Sequence, residues 1–201
     1  MAVFTNSYYL MRHGQSEANV AGKIVSDPAI GCQHFGLTEQ GRQQVVNAIK
    51  NYNADPISII ISSDFLRTRQ TAQLAAEILS LPFPLLEVAL RERFFGNWDG
   101  QSDKNYELIW QQDRQGAPQS VNGVEPTEQV LGRGLKLLHK LENSYCGETL
   151  LLVSHGDMLQ ILQTAFAGKK ANQHRSLCHH QTAEIKPLVL RGECFPENWS
   201  F

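Results

Sequence analysis

Two histidines in this chain are each followed by glycine, at points where an apolar run gives way to polar residues. They are His13-Gly14 in RHGQSEAN (12–19) and His155-Gly156 in SHGD (154–157). Arg12 precedes the first, Arg67 lies in SSDFLRTRQTA (62–72), and Glu92 lies in LRERFFGNWDG (90–100). The chemistry this set could perform is phosphoryl transfer. A neutral imidazole is a nucleophile towards phosphorus, and a covalent intermediate divides one hard displacement into two easier ones. Guanidinium groups donate forked hydrogen bonds to phosphoryl oxygens and stabilise their charge through the transition state. Their charge also favours the neutral form of His13. Glu92 supplies a proton to a departing alkoxide and then a base for water. Gly14 and Gly156 allow close backbone approach, and the amides opening a helix at 157 can meet an anion. No metal is needed. Singly, each residue has a plainer reading: a chance triplet, a hydrogen-bonded structural His155, or Arg67 paired on the surface with Glu77 or Asp64.

Such a set works only if the chain carries it to one place. YYLMR (8–12), ISIIIS (57–62), LLEVAL (85–90) and TLLLVS (149–154) read as strands buried on both faces. Helical patterns lie between them. The pattern over 38–52 opens on Thr38, that over 65–79 is capped by Ser63 or Asp64, that over 126–143 has Pro126 early, and that over 157–167 ends at Gly168. A last run, 182–190, is expected to be an edge strand because Pro187 cannot donate to a ladder. Alternation of this kind predicts a three-layer α/β/α fold, a mostly parallel sheet with helices on both faces. Ligands on such sheets sit beyond the carboxyl ends of strands, where all four polar clusters fall.

With 201 residues, 42% apolar and 19% charged, the chain is long enough for one well-cored domain, read here as 1–201. A net charge of −2 argues against a nucleic-acid footprint. MAVFTNSYYL has neither part of a signal peptide, and no run is long enough to span a bilayer. Cys32, Cys146, Cys178 and Cys194 are unpaired in spacing, so a cytoplasmic protein with reduced thiols is expected.

Taken together, RHGQSEAN, GLTEQGRQQ (36–44), SSDFLRTRQTA, LRERFFGNWDG and VSHGD resemble the histidine phosphatase superfamily, in the branch shared with cofactor-dependent phosphoglycerate mutases. They fall in family order from residue 8 to about 167. The resemblance implies a phosphoglycerate mutase-like fold and His13 as the phosphorylated nucleophile. It also implies that Arg12, Arg67 and His155 hold the phosphoryl group, that Glu92 is the proton donor, and that Ser16, Asn19 and Gly156 lie on the substrate side. Mutases of the family carry paired arginines and a tyrosine for the substrate carboxylate. Here Phe95 stands at the tyrosine position, no adjacent arginine pair occurs between 97 and 150, and Lys104 lies one residue too far from Glu92. The departures favour a hydrolase of small phosphorylated metabolites, with a substrate-shaping insertion at about 94–125. The alternatives are a mutase, or a dedicated fructose-2,6-bisphosphatase-like or α-ribazole-phosphate phosphatase-like enzyme. A non-catalytic module binding phosphoproteins is disfavoured because every expected position is filled.

Other features compete. CHHQ (178–181) invites a metal, but adjacent histidines on a strand would face opposite ways. GKK (168–170) lacks the glycine-rich cradle of a P-loop. Phe94, Phe95, Trp98 and Trp110 belong either to a substrate mouth or to the core. The tail CFPENWSF (194–201) docks loosely, covers the pocket, or lies in a dimer seam; a homodimer is left open. Asn198-Trp199-Ser200 matches a glycosylation acceptor but has no secretory context.

Overall fold

The computed structural model describes residues 3–116 and 121–196. One sheet runs β3-β2-β4-β1-β5, built from β1 (Ser7–Arg12), β2 (Ile59–Ser62), β3 (Leu85–Leu86), β4 (Thr149–Ser154) and β5 (Ile185–Val189). β1, β2, β3 and β4 run parallel to one another, and β5 is antiparallel to β1. The helices are α1 (Glu17–Val20), α2 (Pro28–Gly31), α3 (Glu39–Lys50), α4 (Leu66–Leu79), α5 (Tyr106–Arg114), α6 (Thr127–Ser144) and α7 (Gly156–Phe166).

Strand periodicity sorts the core into two layers. Tyr8, Leu10, Leu150 and Leu152 pack with Leu137, Leu138 and Leu141 of α6 and Met158, Leu159 and Leu162 of α7. Their neighbours Tyr9, Met11, Leu151 and Val153 point the other way, onto Val45 and Ile49 of α3 and Ala72, Ala75 and Ala76 of α4. That is the expected α/β/α sandwich.

The third strand departs from expectation. LLEVAL forms only Leu85–Leu86 at the sheet edge, both exposed, followed by a 3₁₀ turn at Val88–Leu90 capped by Glu87. An apolar run signals burial, but among the described residues nothing covers the outer side of this strand. The cap of α4 also differs. Phe65 occupies the N-cap without a side-chain bond, because Ser63 Oγ is drawn to His155 and Asp64 pairs with Arg91 at 2.6 Å. Thr38 caps α3 as expected, and 182–190 yields an edge strand around Pro187.

Gly14 and Gly41 fix α3 against the loop after β1. A methyl group on Gly14 would lie 2.5 Å from the Gly41 carbonyl oxygen, and one on Gly41 would lie 2.0 Å from that of Gln15. Gly14 therefore serves backbone-to-backbone packing beneath His13. Gly41→Ala is expected to cost about 1–3 kcal/mol by overpacking, read as a lower urea midpoint, with reduced turnover because the loop holding His13 must shift.

The tail as far as Phe195 stacks on Phe4 with ring centroids 4.0 Å apart. Phe4 precedes β1, at the end of the sheet opposite His13, so this part of the tail does not cover the polar cluster. Residues 197–201, including Asn198-Trp199-Ser200, lie outside the described residues.

Candidate active site

Parallel register brings the two histidines together. Arg12 pairs with Ser154 at the carboxyl ends of β1 and β4, so His13 and His155 are the next residues on adjacent strands. His13 N donates to the Ser154 carbonyl at 3.0 Å. The rings lie 5.4 Å apart, edge to face.

Hydrogen bonds assign the tautomers. The Gly14 carbonyl can only accept, so His13 Nδ1, 2.8 Å away, carries the proton and Nε2 keeps its lone pair. That lone pair accepts from Arg67 Nε at 3.2 Å. Arg67 Nη2 donates to the Val25 carbonyl and to His155 Nδ1, both at 3.0 Å, which leaves His155 Nε2–H for Ser63 Oγ. Arg67, reached from the first turn of α4, is thus buried among two imidazoles and makes no pair with Glu77 or Asp64. Its Nη1 and the Nε of Arg12 are buried without a partner among the described residues. An unpaired buried guanidinium donor is costly, and a bound anion removes the cost. Burial, then the charges of Arg67 and Arg12, hold His13 well below the usual imidazole pKa; burial and Arg67 do the same to His155.

Glu92 enters from the loop after the 3₁₀ turn. Its Oε1 accepts from the backbone amides of Arg93 (3.0 Å) and Met158 (3.2 Å). Arg133 of α6 holds that loop by donating to the carbonyls of Ala89, Arg91 and Glu92. Burial, and next the charge of Asp157, push the Glu92 pKa up against the pull of Arg67. Burial would raise Asp157 too, but His174, Arg93 and Trp110 outweigh it and hold it low. Two carboxyls with divergent environments thus share the site, and Glu92 is the one suited to carry a proton.

These groups line a cavity of about 210 Å³ that includes Arg12, His13, Ser16, Asn19, Arg67, Glu92 and Gly156. His155 is fully buried behind Arg67 and His13, which line the cavity in front of it. Ser16 and Asn19 are locked in a reciprocal cap at the start of α1. A methyl group on Gly156 would meet Arg12 only at 3.7 Å, an ordinary contact.

Lys23, Asp157, Arg175 and His179 also line the cavity and were not expected there from sequence, while Asp103 and Tyr106 come from within 94–125 without having been singled out. Tyr106 and Trp110 stack in parallel from α5, and Trp110 Nε1 donates to Asp157. The buried pair Arg93–Asp113 anchors α5, with contacts of 2.6 and 2.9 Å. Trp110 belongs to the mouth, whereas Phe95 is buried with Ile24, Ile109 and Val124 and Trp98 packs against them. Phe94 is exposed and lines a separate cleft.

The CHHQ segment is a loop rather than a strand. His179 turns to Arg12, with Nε2 2.9 Å from Nη1, while His180 is buried with Nε2 bonded to the Glu184 carbonyl. Among the described residues, no three His, Cys, Asp or Glu side chains gather where they could share a metal ion.

The buried histidines also set acid stability. His13, His155 and His180 have folded pKa values below the unfolded value, that of His180 reduced to about 4. Below the imidazole pKa the unfolded chain therefore binds more protons, and stability falls as pH falls. The urea midpoint is expected to drop from pH 7 to pH 5, with each of the three contributing up to about 1.4 kcal/mol per unit below roughly pH 6.5. Glu92, with its raised pKa, opposes this as a single carboxyl. A midpoint flat over that range would contradict the burial.

A family model described as histidine phosphatase superfamily (branch 1) matches residues 8–197. The chain belongs to that superfamily. Its relatives include a probable phosphoglycerate mutase of Photorhabdus laumondii, 29% identical over 177 residues, 84% of this chain and 78% of the relative. A glucosyl-3-phosphoglycerate phosphatase of Mycolicibacterium vanbaalenii is 27% identical over 173 residues, 79% and 73%. A solved mycobacterial glucosyl-3-phosphoglycerate phosphatase with VO3 superposes with a TM-score of 0.76 at 26% identity, covering 90% of this chain and 91% of that one. The mixed five-stranded sheet flanked by helices is the fold this histidine phosphatase shares with that solved structure.

Proposed function

We propose that this histidine phosphatase hydrolyses phosphate monoesters of small molecules through phospho-His13, without a metal or other cofactor, in the cytoplasm. The observation that carries the reading is the His13 ring, tethered through Nδ1 and offering Nε2 beside two buried guanidinium nitrogens that have no partner among the described residues. The phosphoryl group sits on Arg12 and Arg67. His13 Nε2 attacks phosphorus as the ester oxygen leaves, and Glu92 gives that oxygen its proton. Water then attacks the phosphohistidine, Glu92 takes the water's proton, and inorganic phosphate departs. His155 acts by fixing Arg67, while Ser16, Asn19 and Gly156 border the substrate. We assign residues 94–125 to shaping the mouth, within a single domain.

The test is release of p-nitrophenol from its phosphate in excess chelator, together with a phosphoenzyme located on His13 after alkaline quench. Turnover that needs an added metal, or a phosphoryl group found elsewhere, overturns the reading. Glu92→Gln is expected to slow alkyl phosphates by about 10²–10⁴-fold, the usual range for a positioned acid. It should slow p-nitrophenyl phosphate much less, because that leaving group needs little protonation; equal losses would remove Glu92 as the acid.

A second reading, phosphoglycerate mutase, is favoured by the relative so named. Retaining a phosphorylated acid against water calls for a clamp of several cations, and the equivalent of the mutase tyrosine, Phe95, is buried away from the cavity. A mutase would depend on priming by a bisphosphorylated acid; a hydrolase turns over without it.

A further inference from the structure

We infer that the cavity wall beside Arg12 receives a second anionic group of the substrate, and that Arg175 selects for it. The physiological ester is then a short phosphorylated acid or a bisphosphate, not the phosphate of a neutral alcohol. The inference rests on the cavity being a phosphomonoesterase site, and it names the substrate class.

Arg175 reaches the cavity from the 3₁₀ segment Ala171–Ser176, far along the chain from the arginine pair of a mutase. Its guanidinium lies 3.7 Å over the Trp110 ring, which fixes its plane. One nitrogen, Nη1, is engaged by the Gln160 side-chain oxygen, while Nε and Nη2 bond to nothing among the described residues. No carboxylate lies within ion-pair distance of it among those residues, whereas Arg91, Arg93, Arg114 and Arg133 each have one. Asp157, the buried acid lining the same cavity, is already committed to Trp110, Arg93 and His174. Lys23 also lines the cavity, but Asp103 lines it too, from a segment bridged to Lys23 through Ser102. Arg175 is therefore, like Arg12 and Arg67, a cavity arginine with no carboxylate in contact among the described residues; Asp157 and Glu107 act on it only from beyond ion-pair distance.

Its position relative to the phosphoryl site sets the reach. His179 Nε2 is 2.9 Å from Arg12 Nη1, and its Nδ1 is 3.4 Å from Arg175 Nη1. The two guanidinium groups stand one imidazole apart, and among the described residues no carboxylate is in ion-pair contact with either. A ligand carrying two negative groups a few bonds apart satisfies both and relieves their mutual repulsion.

Matched ester pairs test this: 3-phosphoglycerate against glycerol 3-phosphate, and fructose 1,6-bisphosphate against fructose 6-phosphate. The wild type is expected to favour the doubly anionic member of at least one pair by about ten- to a hundred-fold in kcat/KM, the worth of a charged hydrogen bond. The favoured pair tells carboxylate from phosphate. Arg175→Met should bring that ratio to within about threefold of unity, and Arg175→Lys, which keeps charge without the fork, should fall between. Equal rates within both pairs in the wild type, or a ratio unmoved by Arg175→Met, overturn the inference. Absence of any phosphoenzyme would instead sink the phosphohistidine reading. The matched pairs need only wild-type protein, so a poorly folding variant does not block the test.

Discussion

His13→Ala is expected to lower hydrolysis of p-nitrophenyl phosphate by at least about 10⁴-fold, as removal of a covalent nucleophile does elsewhere, and to abolish the phosphoenzyme. Three features make the loss large. The ring is tethered at Nδ1, its Nε2 is neutral at assay pH, and the other candidate nucleophiles among the described residues are engaged elsewhere: Ser16 is locked to Asn19, His155 is buried behind Arg67 with both nitrogens engaged, and His179 is held between the guanidinium groups of Arg12 and Arg175. The folded state should survive, since water can occupy the space beside Arg67 Nε. Single-turnover kinetics and a thermal melt run together check both halves. Retained turnover with an intact fold would mean that phosphorus is attacked by another group.

Arg67→Met carries the second large effect and a signature of its own. Loss of one fixed donor to a developing oxyanion typically costs about 10²–10³-fold in kcat, and Arg67 also orients both histidines, so at least that loss is expected. After burial, Arg67 is the largest influence holding His13 down. Removing it raises the His13 pKa, so the acid limb of kcat/KM should move to higher pH. A merely structural arginine would lower the rate without moving that limb. The pH profile of the residual activity, measured with p-nitrophenyl phosphate, separates the two.

The sheet and the convergence of His13, Arg67 and His155 at its carboxyl edge were legible in the sequence because both depend on local signals. Buried parallel strands are continuous apolar runs, and the residues that matter follow directly at their carboxyl ends, where register alone brings His13 beside His155. The far half of the site was less legible. Arg175 and His179 come from irregular backbone, and nothing in ANQHRSLCHH says that it folds over Arg12. Treating CHHQ as a strand sent its histidines to opposite faces, when His179 sits on the cavity wall. Phe94, Phe95, Trp98 and Trp110 carry one aromatic signal that favours the core over the mouth, yet Trp110 lines the cavity, and Tyr106 has no signal beyond its spacing of four from Trp110. LLEVAL misled for a different reason. Hydrophobicity cannot tell a central strand from an edge strand whose outer side stays bare. Ser63 and Asp64 were eligible caps with stronger attractions elsewhere, a competition only tertiary structure decides.

The order β3-β2-β4-β1-β5 has a consequence for biosynthesis. β4 fills the gap between β1 and β2, yet it is made after both, so a nascent chain ending before Thr149 holds two unjoined strands with bare edges. Such a chain is exposed to self-association until the central strand threads in. The same insertion delivers His155 to Arg67, so regain of catalytic power on refolding should coincide with completion of the sheet, with no folded but inert precursor preceding it.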